Sequence, residues 1–454
     1  MRFSFSLLGP LALLVASSVH AVGAQDVPLA NSTEVQRHFL AREAMISLEK
    51  RQRQDHIFRQ GLSEVAQQAD AIVQMIRQEE IDDFWRHPGT PENPEDERFA
   101  GEMFPKARPY IAQTQLWRIV KRMPKGALLH AHLSAMLPYE TILRTIMSTE
   151  GMVLSASHDV STQERAENAT IVFSHVNTTL PLDQPSIHSP EYVPDSKIPV
   201  QEAATSFSGG EEGFFRFVLS KMAVSPEDSI RHELGPVVRT FYQKLFERLA
   251  DDGIRWVEIR AGGSSGKLVH DGDEDPDPDL DIWWEVLEEE LVKFQESEKG
   301  SNFWGARIIW SDWRGKQGAS LTNSMSIAIQ RKEKFPELFS GYDVVAEEDL
   351  GHSLIELAPE LIWFQEQTVQ RNLTVPFFFH AGETLGDGNA TDLNLFDAVL
   401  FKTRRIGHGF SLYKHPKLID VVVENGIMVD VCPISNEVLR LATDILHHHQ
   451  QAAY

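Results

Sequence analysis

From about residue 121 onward the sequence predicts an α/β fold, in which strands and helices alternate around a parallel sheet or barrel. Short runs rich in β-branched and aromatic residues, at 127–133, 254–260, 306–310, 342–346, 375–380, 405–409 and 427–431, are separated by longer helical segments. Several of the runs are continuously apolar, as strands covered on both faces are. Histidines gather where three of the runs end, at His130 with His132, at His380 and at His408. The count is seven strands, one fewer than a closed eight-stranded barrel needs.

In chain order, Arg2 precedes an apolar core from Leu7 to Ala16, and small residues then lead to Val22-Gly23-Ala24. This is the order of a secretory signal peptide over residues 1–24. A spanning helix needs about 20 apolar residues, whereas Pro10 interrupts this core and Ser17-Ser18 ends it. The mature protein is therefore expected to be secreted, extracellular and without a membrane anchor. Five sequons, at Asn31, Asn168, Asn177, Asn372 and Asn389, fit a glycosylated chain.

Residues 25–120 read as a helical extension, with Val35, Phe39, Met45 and Ile46 at helical spacing before Pro88, Pro91 and Pro94 break the pattern. Residues 121–454 carry the α/β domain, with a polar stretch at about 155–210 read as a surface insertion after the first strand. The acidic run 271–281 lacks the Gly and Glu spacing of an EF-hand and is read as a solvated loop.

Composition sets outer limits. With 454 residues, 43 Lys and Arg against 66 Asp and Glu, and 42% hydrophobic residues, the chain is neither disordered nor built to bind nucleic acid. Its one cysteine, Cys432, excludes a disulfide scaffold. Lacking a CxxC partner, it is read as a buried packing residue.

The chemistry concentrates at the strand ends. Alternation puts His130 and His132 on one face of the first strand, where two imidazoles can make half of a zinc site. Residues 377–379, three phenylalanines, run into His380-Ala381-Gly382-Glu383, and Arg405-Ile406-Gly407 runs into His408-Gly409. Core packing alone would favour Val or Ile at these tips. Glu383 can act as a general acid or base beside a metal, and His408 can take or orient a water proton. Gly382, Gly407 and Gly409 allow a ligand close to the backbone.

In this order, Met123-Pro124-Lys125-Gly126, His130-x-His132, His380-Ala381-Gly382-Glu383, Gly407-His408-Gly409 and Cys432-Pro433-Ile434-Ser435-Asn436 resemble the motifs of the adenosine deaminase family of metal-dependent amidohydrolases. The signal peptide, helical leader and sequon-bearing insertion resemble its secreted branch, the adenosine deaminase-related growth factors. The resemblance implies a (β/α)8 TIM-type barrel with one zinc ion per chain, held by His130, His132 and His380. It implies that Glu383 protonates the purine ring and His408 serves the water attacking C6, turning adenosine or 2'-deoxyadenosine into the inosine product and ammonia. It also implies a homodimer formed through the leader and a cell-surface receptor as partner.

The sequence departs from the family pattern in three places. An acidic residue that contacts the ribose is replaced by Leu133 and Ser134, which makes Ser134 the candidate at that position. Ala346 stands where a glycine amide contacts the purine, and Gly382 is the third candidate substrate contact. The eighth-strand Asp-Asp pair does not occur before Tyr454, and neither Asp444 nor His447-His448-His449 is expected to replace it. A C-terminally truncated deaminase lacking its last strand, with weakened metal binding, is the resulting expectation. The alternative is a non-catalytic growth-factor-like or nucleoside-binding protein on the same fold, and metal content discriminates the two.

Overall fold

The computed structural model describes residues 32–53, 55–90, 96–176, 184–222, 235–262 and 281–443. The signal segment, Asn31, Asn177, the acidic run up to residue 280, Asp444 and the three histidines from His447 lie outside the described residues. The chain divides into two compact units, Met1–Gln74 and Met75–Tyr454. Among the described residues no helix is long and apolar enough to cross a membrane.

In the first unit the helix Thr33–Gln52 starts where Ser32 Oγ accepts the Val35 N–H and ends with Lys50 and Arg51 in its last turn. Both features suit the ends of a helix, one satisfying a free N–H and the other facing the negative end of the dipole. Phe39, Leu40, Met45 and Leu48 on this helix are exposed.

The second unit is a mixed α/β fold built on parallel strands. We name them β1 (Gly126–His132), β2 (Ile254–Ala261), β3 (Gly305–Trp313), β4 (Phe339–Val345), β5 (His380–Ala381), β6 (Arg405–His408) and β7 (Met428–Asp430). One sheet has the order β1-β2-β3-β4 and a second the order β5-β6-β7, all pairs parallel. A parallel bridge between Tyr342 and Phe377 joins the two. Among the described residues no ladder links β7 back to β1.

All seven expected runs are found, and the fifth is shorter than expected. Within 375–380 only Phe377 and His380 hold ladder positions; Pro376 has no N–H to give, and the Phe379 N–H goes to the Thr403 hydroxyl at 3.3 Å. The segment still bonds to both neighbours, through Phe378 N–H to the Tyr342 carbonyl at 3.0 Å and Arg404 N–H to the Phe377 carbonyl at 3.0 Å. Helices Asp281–Glu296, Ala319–Lys334, Ala358–Gln370 and Ala390–Leu400 pack on the outer face, burying Trp284, Met325, Phe364 and Leu395. Each such side chain contributes about 1.5–3 kcal/mol on burial.

The region of the surface insertion expected at about 155–210 is a packed substructure that begins earlier, with helix Tyr139–Ser148 and strand Met152–Ala156. That strand is central in an antiparallel sheet between Ile171–His175 and Ile198–Pro199. Helix Gly210–Met222 helps close a separate core containing Leu143, Leu154, Phe173, Ile187 and Phe214. Its few apolar residues fall on inward positions, so a polar average conceals a real core. Tyr192 ties the sheet to the next turn, its hydroxyl accepting the Ala156 N–H at 2.8 Å and donating to the Ser196 carbonyl at 2.8 Å.

The described sequon asparagines, Asn168, Asn372 and Asn389, are all exposed. Asn389 also caps helix Ala390–Leu400 by accepting the Asp392 N–H at 2.9 Å.

Candidate metal and catalytic site

The C-terminal ends of parallel strands are where α/β folds collect ligands, and the expected histidines meet there. His132, His408 and Asp430 are the last residues of β1, β6 and β7. The sheet register sets His380 beside Gly407 and Gly407 beside Asp430. Gly407 is the gap in this row: a Cβ there would stand 2.8 Å from His130 Cε1. Glycine is thus required for the His130 ring of β1 to lie against β6.

His130, His132 and His380 bring one ring nitrogen each within 4.8 Å of one another. His132 Nε2 and His380 Nε2 are 3.3 Å apart, and the His130 and His380 ring centres 4.7 Å. Buried carboxylates fix the tautomers. His380 Nδ1–H donates to Asp343 Oδ2 at 2.7 Å, and His130 Nδ1–H donates to Asp430 Oδ2 at 3.3 Å. Each Nε2 lone pair is then left facing the centre, and His130 Nε2 is buried without a hydrogen-bond partner. A histidine ring whose far nitrogen is held by a carboxylate is the common arrangement around a bound metal.

Burial, reinforced by the nearby cations Arg260 and other imidazoles, pushes His130 down to about 2 and His132 down to about 3. Burial and the His130 and Arg260 charges likewise hold His380 well below its ordinary value. All three are therefore neutral, the state that ligates. A nitrogen-only set of three converging, neutral imidazoles fits a borderline-soft divalent ion such as zinc.

The two carboxylates share Arg260 of β2. Its Nε donates to Asp343 Oδ2 at 2.8 Å, its Nη1 to the Leu129 carbonyl at 3.2 Å, and its Nη2 stands 3.6 Å from Asp430 Oδ2. Asp343, Asp430 and Arg260 were not singled out from sequence. The available signal was a charged residue inside an otherwise apolar strand run, as in Tyr342-Asp343-Val344 and Met428-Val429-Asp430.

Glu383 and His408 form the second half of the site. Glu383 Oε1 is 3.0 Å from His408 Nδ1, which also lies 2.7 Å from Asn436 Oδ1. Burial opposes a charge on His408, but Cys432 and Glu383 together outweigh it and hold its pKa well above the ordinary value. Cys432 is not the buried packing residue expected. It is half-buried, its Sγ donates to the Asp430 carbonyl at 3.2 Å, and it lies within 4.8 Å of ring nitrogens of His130 and His408.

The candidate substrate positions behave differently from one another. Ser134 is exposed in the short turn Leu133–Ala135 directly after His132. Ala346, just beyond β4, is exposed with φ 89°, a glycine-like conformation that an alanine holds under strain. Gly382 has φ 75°, and a Cβ there would meet Ser411 Oγ at 2.8 Å and Leu395 at 2.9 Å. Its N–H goes to Glu348 and its carbonyl accepts the Ser411 N–H, so packing explains this glycine without a ligand.

A fold of parallel strands with three imidazoles and a carboxyl–imidazole pair at its C-terminal ends defines a metal-dependent hydrolase type of site. A family model described as adenosine deaminase matches residues 193–449, and the chain belongs to that family. It is similar to an adenosine deaminase of Lutzomyia longipalpis, 28% identical over 360 residues that cover 74% of this chain and 64% of that protein. It is also similar to adenosine deaminase 2 of Homo sapiens, 29% identical over 362 residues that cover 76% of this chain and 66% of that protein. In each case the match spans less than two thirds of the relative's own length. Among solved structures, an adenine deaminase from Arthrobacter aurescens is 15% identical with a TM-score of 0.42, covering 73% of this chain and 79% of that one.

Proposed function

We propose that this chain is a secreted, zinc-dependent enzyme that deaminates adenosine and 2'-deoxyadenosine by hydrolysis, on a (β/α)8 type of barrel. The observation that carries the reading is the meeting of three neutral imidazoles with the Glu383–His408 pair at the strand ends. His130, His132 and His380 would hold the zinc ion, which when bound supplies Lewis acidity and lowers the pKa of a water to about 7.

The remaining work falls to the chain's own groups. Glu383 in its protonated form donates to the purine ring nitrogen next to C6, relieving the negative charge that attack at C6 places on the ring. His408, fixed by Asn436 and kept charged by Glu383 and Cys432, orients the attacking water and favours the negative charge that builds on its oxygen. Water adds at C6, the exocyclic amine leaves as ammonia, and the nucleoside retains an oxygen in its place. Asp343 and Asp430 keep the imidazoles aimed inward throughout.

Family membership and relatives named as adenosine deaminases support the substrate class. The signal-like leader and exposed Asn168, Asn372 and Asn389 support export. The test is to express residues 25–454, measure zinc per chain, and follow adenosine loss with inosine and ammonia release. Metal with turnover upholds the reading; a folded chain that takes zinc at this site but never deaminates either nucleoside sinks it.

A further inference from the structure

Two acids outside the proton-transfer pair, buried Glu348 and exposed Asp349, grip the loop that carries Glu383. Glu348 follows β4 by three residues and is fully buried. Its Oε1 accepts the Gly382 N–H at 3.1 Å and the Asn394 amide at 2.7 Å, while its Oε2 accepts the Glu383 N–H at 2.7 Å. Asn394 cannot turn round, because its own Oδ1 accepts the Leu354 N–H at 2.6 Å.

The next residue, Asp349, accepts the Thr384 hydroxyl at 2.7 and 2.9 Å. Thr384 Oγ1 in turn accepts the Gly386 N–H at 2.8 Å. From β3's end, buried Arg314 donates to the His380 carbonyl at 2.5 Å and stands 3.8 Å from Glu348 Oε1. The loop is therefore held at 380, 382, 383 and 384 by groups from two neighbouring strand ends.

Burying a carboxylate costs several kcal/mol before its partners repay it, and a loop can be tied down with less expensive groups. What this carboxylate adds is placement. Two adjacent main-chain N–H groups on one rigid acceptor fix the backbone at Glu383, and with it the direction of a side chain that must stand 3.0 Å from His408 Nδ1.

We propose that Glu348 is a positioning residue, holding the Gly382–Glu383 backbone so that the Glu383 carboxyl is aimed at the ring it protonates. The proposal rests on the deaminase reading above, since it assigns Glu383 a proton to deliver.

Glu348→Gln tests it with almost no change of shape. The new NH2 must face either the Glu383 N–H, or the Gly382 N–H and the Asn394 amide, so one donor opposes another in both orientations. In the zinc-loaded full chain, kcat for adenosine should fall about 10–100-fold while KM stays within about twofold, the signature of lost alignment rather than lost binding. Zinc per chain should be unchanged, and hydrogen exchange over 380–386 should accelerate.

Asn394→Ala removes one donor to Glu348 but leaves both backbone bonds, so it should lower kcat about three- to tenfold at constant KM. It also decides the matter should Glu348→Gln fail to fold. Unchanged kcat and unchanged exchange would overturn the proposal, as would lost zinc or a raised KM at constant kcat. If the unaltered chain deaminates nothing, the deaminase reading falls by itself, and the exchange comparison still decides whether Glu348 fixes this loop.

Discussion

The insertion after β1 and the strand ends around His380 are both densely packed, and they are held by opposite means. Leu143, Leu154, Phe173 and Phe214 fill the insertion as an ordinary apolar core. At the strand ends the buried groups are Arg260, Arg314, Asp343, Glu348, His380 and His408. Apolar burial is non-directional and forgiving, whereas each buried polar group needs its partners in place. The difference teaches where stability and chemistry reside: the first region tolerates reshaping at a cost in free energy, and the second trades stability for aimed groups.

Substitutions on each side can break this contrast. The largest effect is expected from Glu383→Gln, which should lower turnover about 10²–10⁴-fold with zinc content and melting temperature retained; a comparable loss of stability would place Glu383 among the structural groups. In the insertion, Phe214→Ala should destabilise by about 3–5 kcal/mol in denaturant melts, with KM and kcat of the folded fraction unchanged.

Acid sharpens the contrast further. His130 and His132 titrate at about 2 and about 3 when folded, against about 6.5 when unfolded. The unfolded chain thus binds more protons in that window, so the stability from keeping these rings neutral is complete above about pH 6.5 and is lost as pH falls toward 3. The metal-free protein should lose about 1.4 kcal/mol per pH unit for each ring, measurable as a falling denaturation midpoint.

Gly407→Ala comes next, because its methyl would press on the His130 ring. Zinc affinity in a chelator competition should fall about 10–100-fold, with little change in the melt of the metal-free protein. The smallest effect is at Ala346, where Ala346→Gly should relieve about 1 kcal/mol of left-handed strain and raise the melting temperature slightly. A drop instead would mean that the methyl group makes a useful contact.

Much of the site was legible because chemistry interrupts pattern. His130, His132, His380 and His408 stand where apolar strands should continue, so their residue type alone marked them. Asp343, Asp430 and Glu348 were harder, since a single acid beside a strand looks like any solvent-facing carboxylate until the fold buries it against histidine or main-chain N–H groups. Cys432 was misread for a related reason: a thiol without a sequence partner gives no hint of the His408 ring that another strand brings beside it. The seven strands followed from their continuous apolar runs, while the insertion's sheet did not, because its inward residues are too few to lift a Ser- and Asp-rich average.

The account's central claim is that His130, His132 and His380 surround one metal ion. Anomalous diffraction at the zinc edge from crystals of the zinc-loaded protein tests it most directly. One peak per chain, about 2.0–2.1 Å from a ring nitrogen of each histidine, is the predicted result; a peak held by surface side chains, with this site empty at saturating zinc, would contradict it.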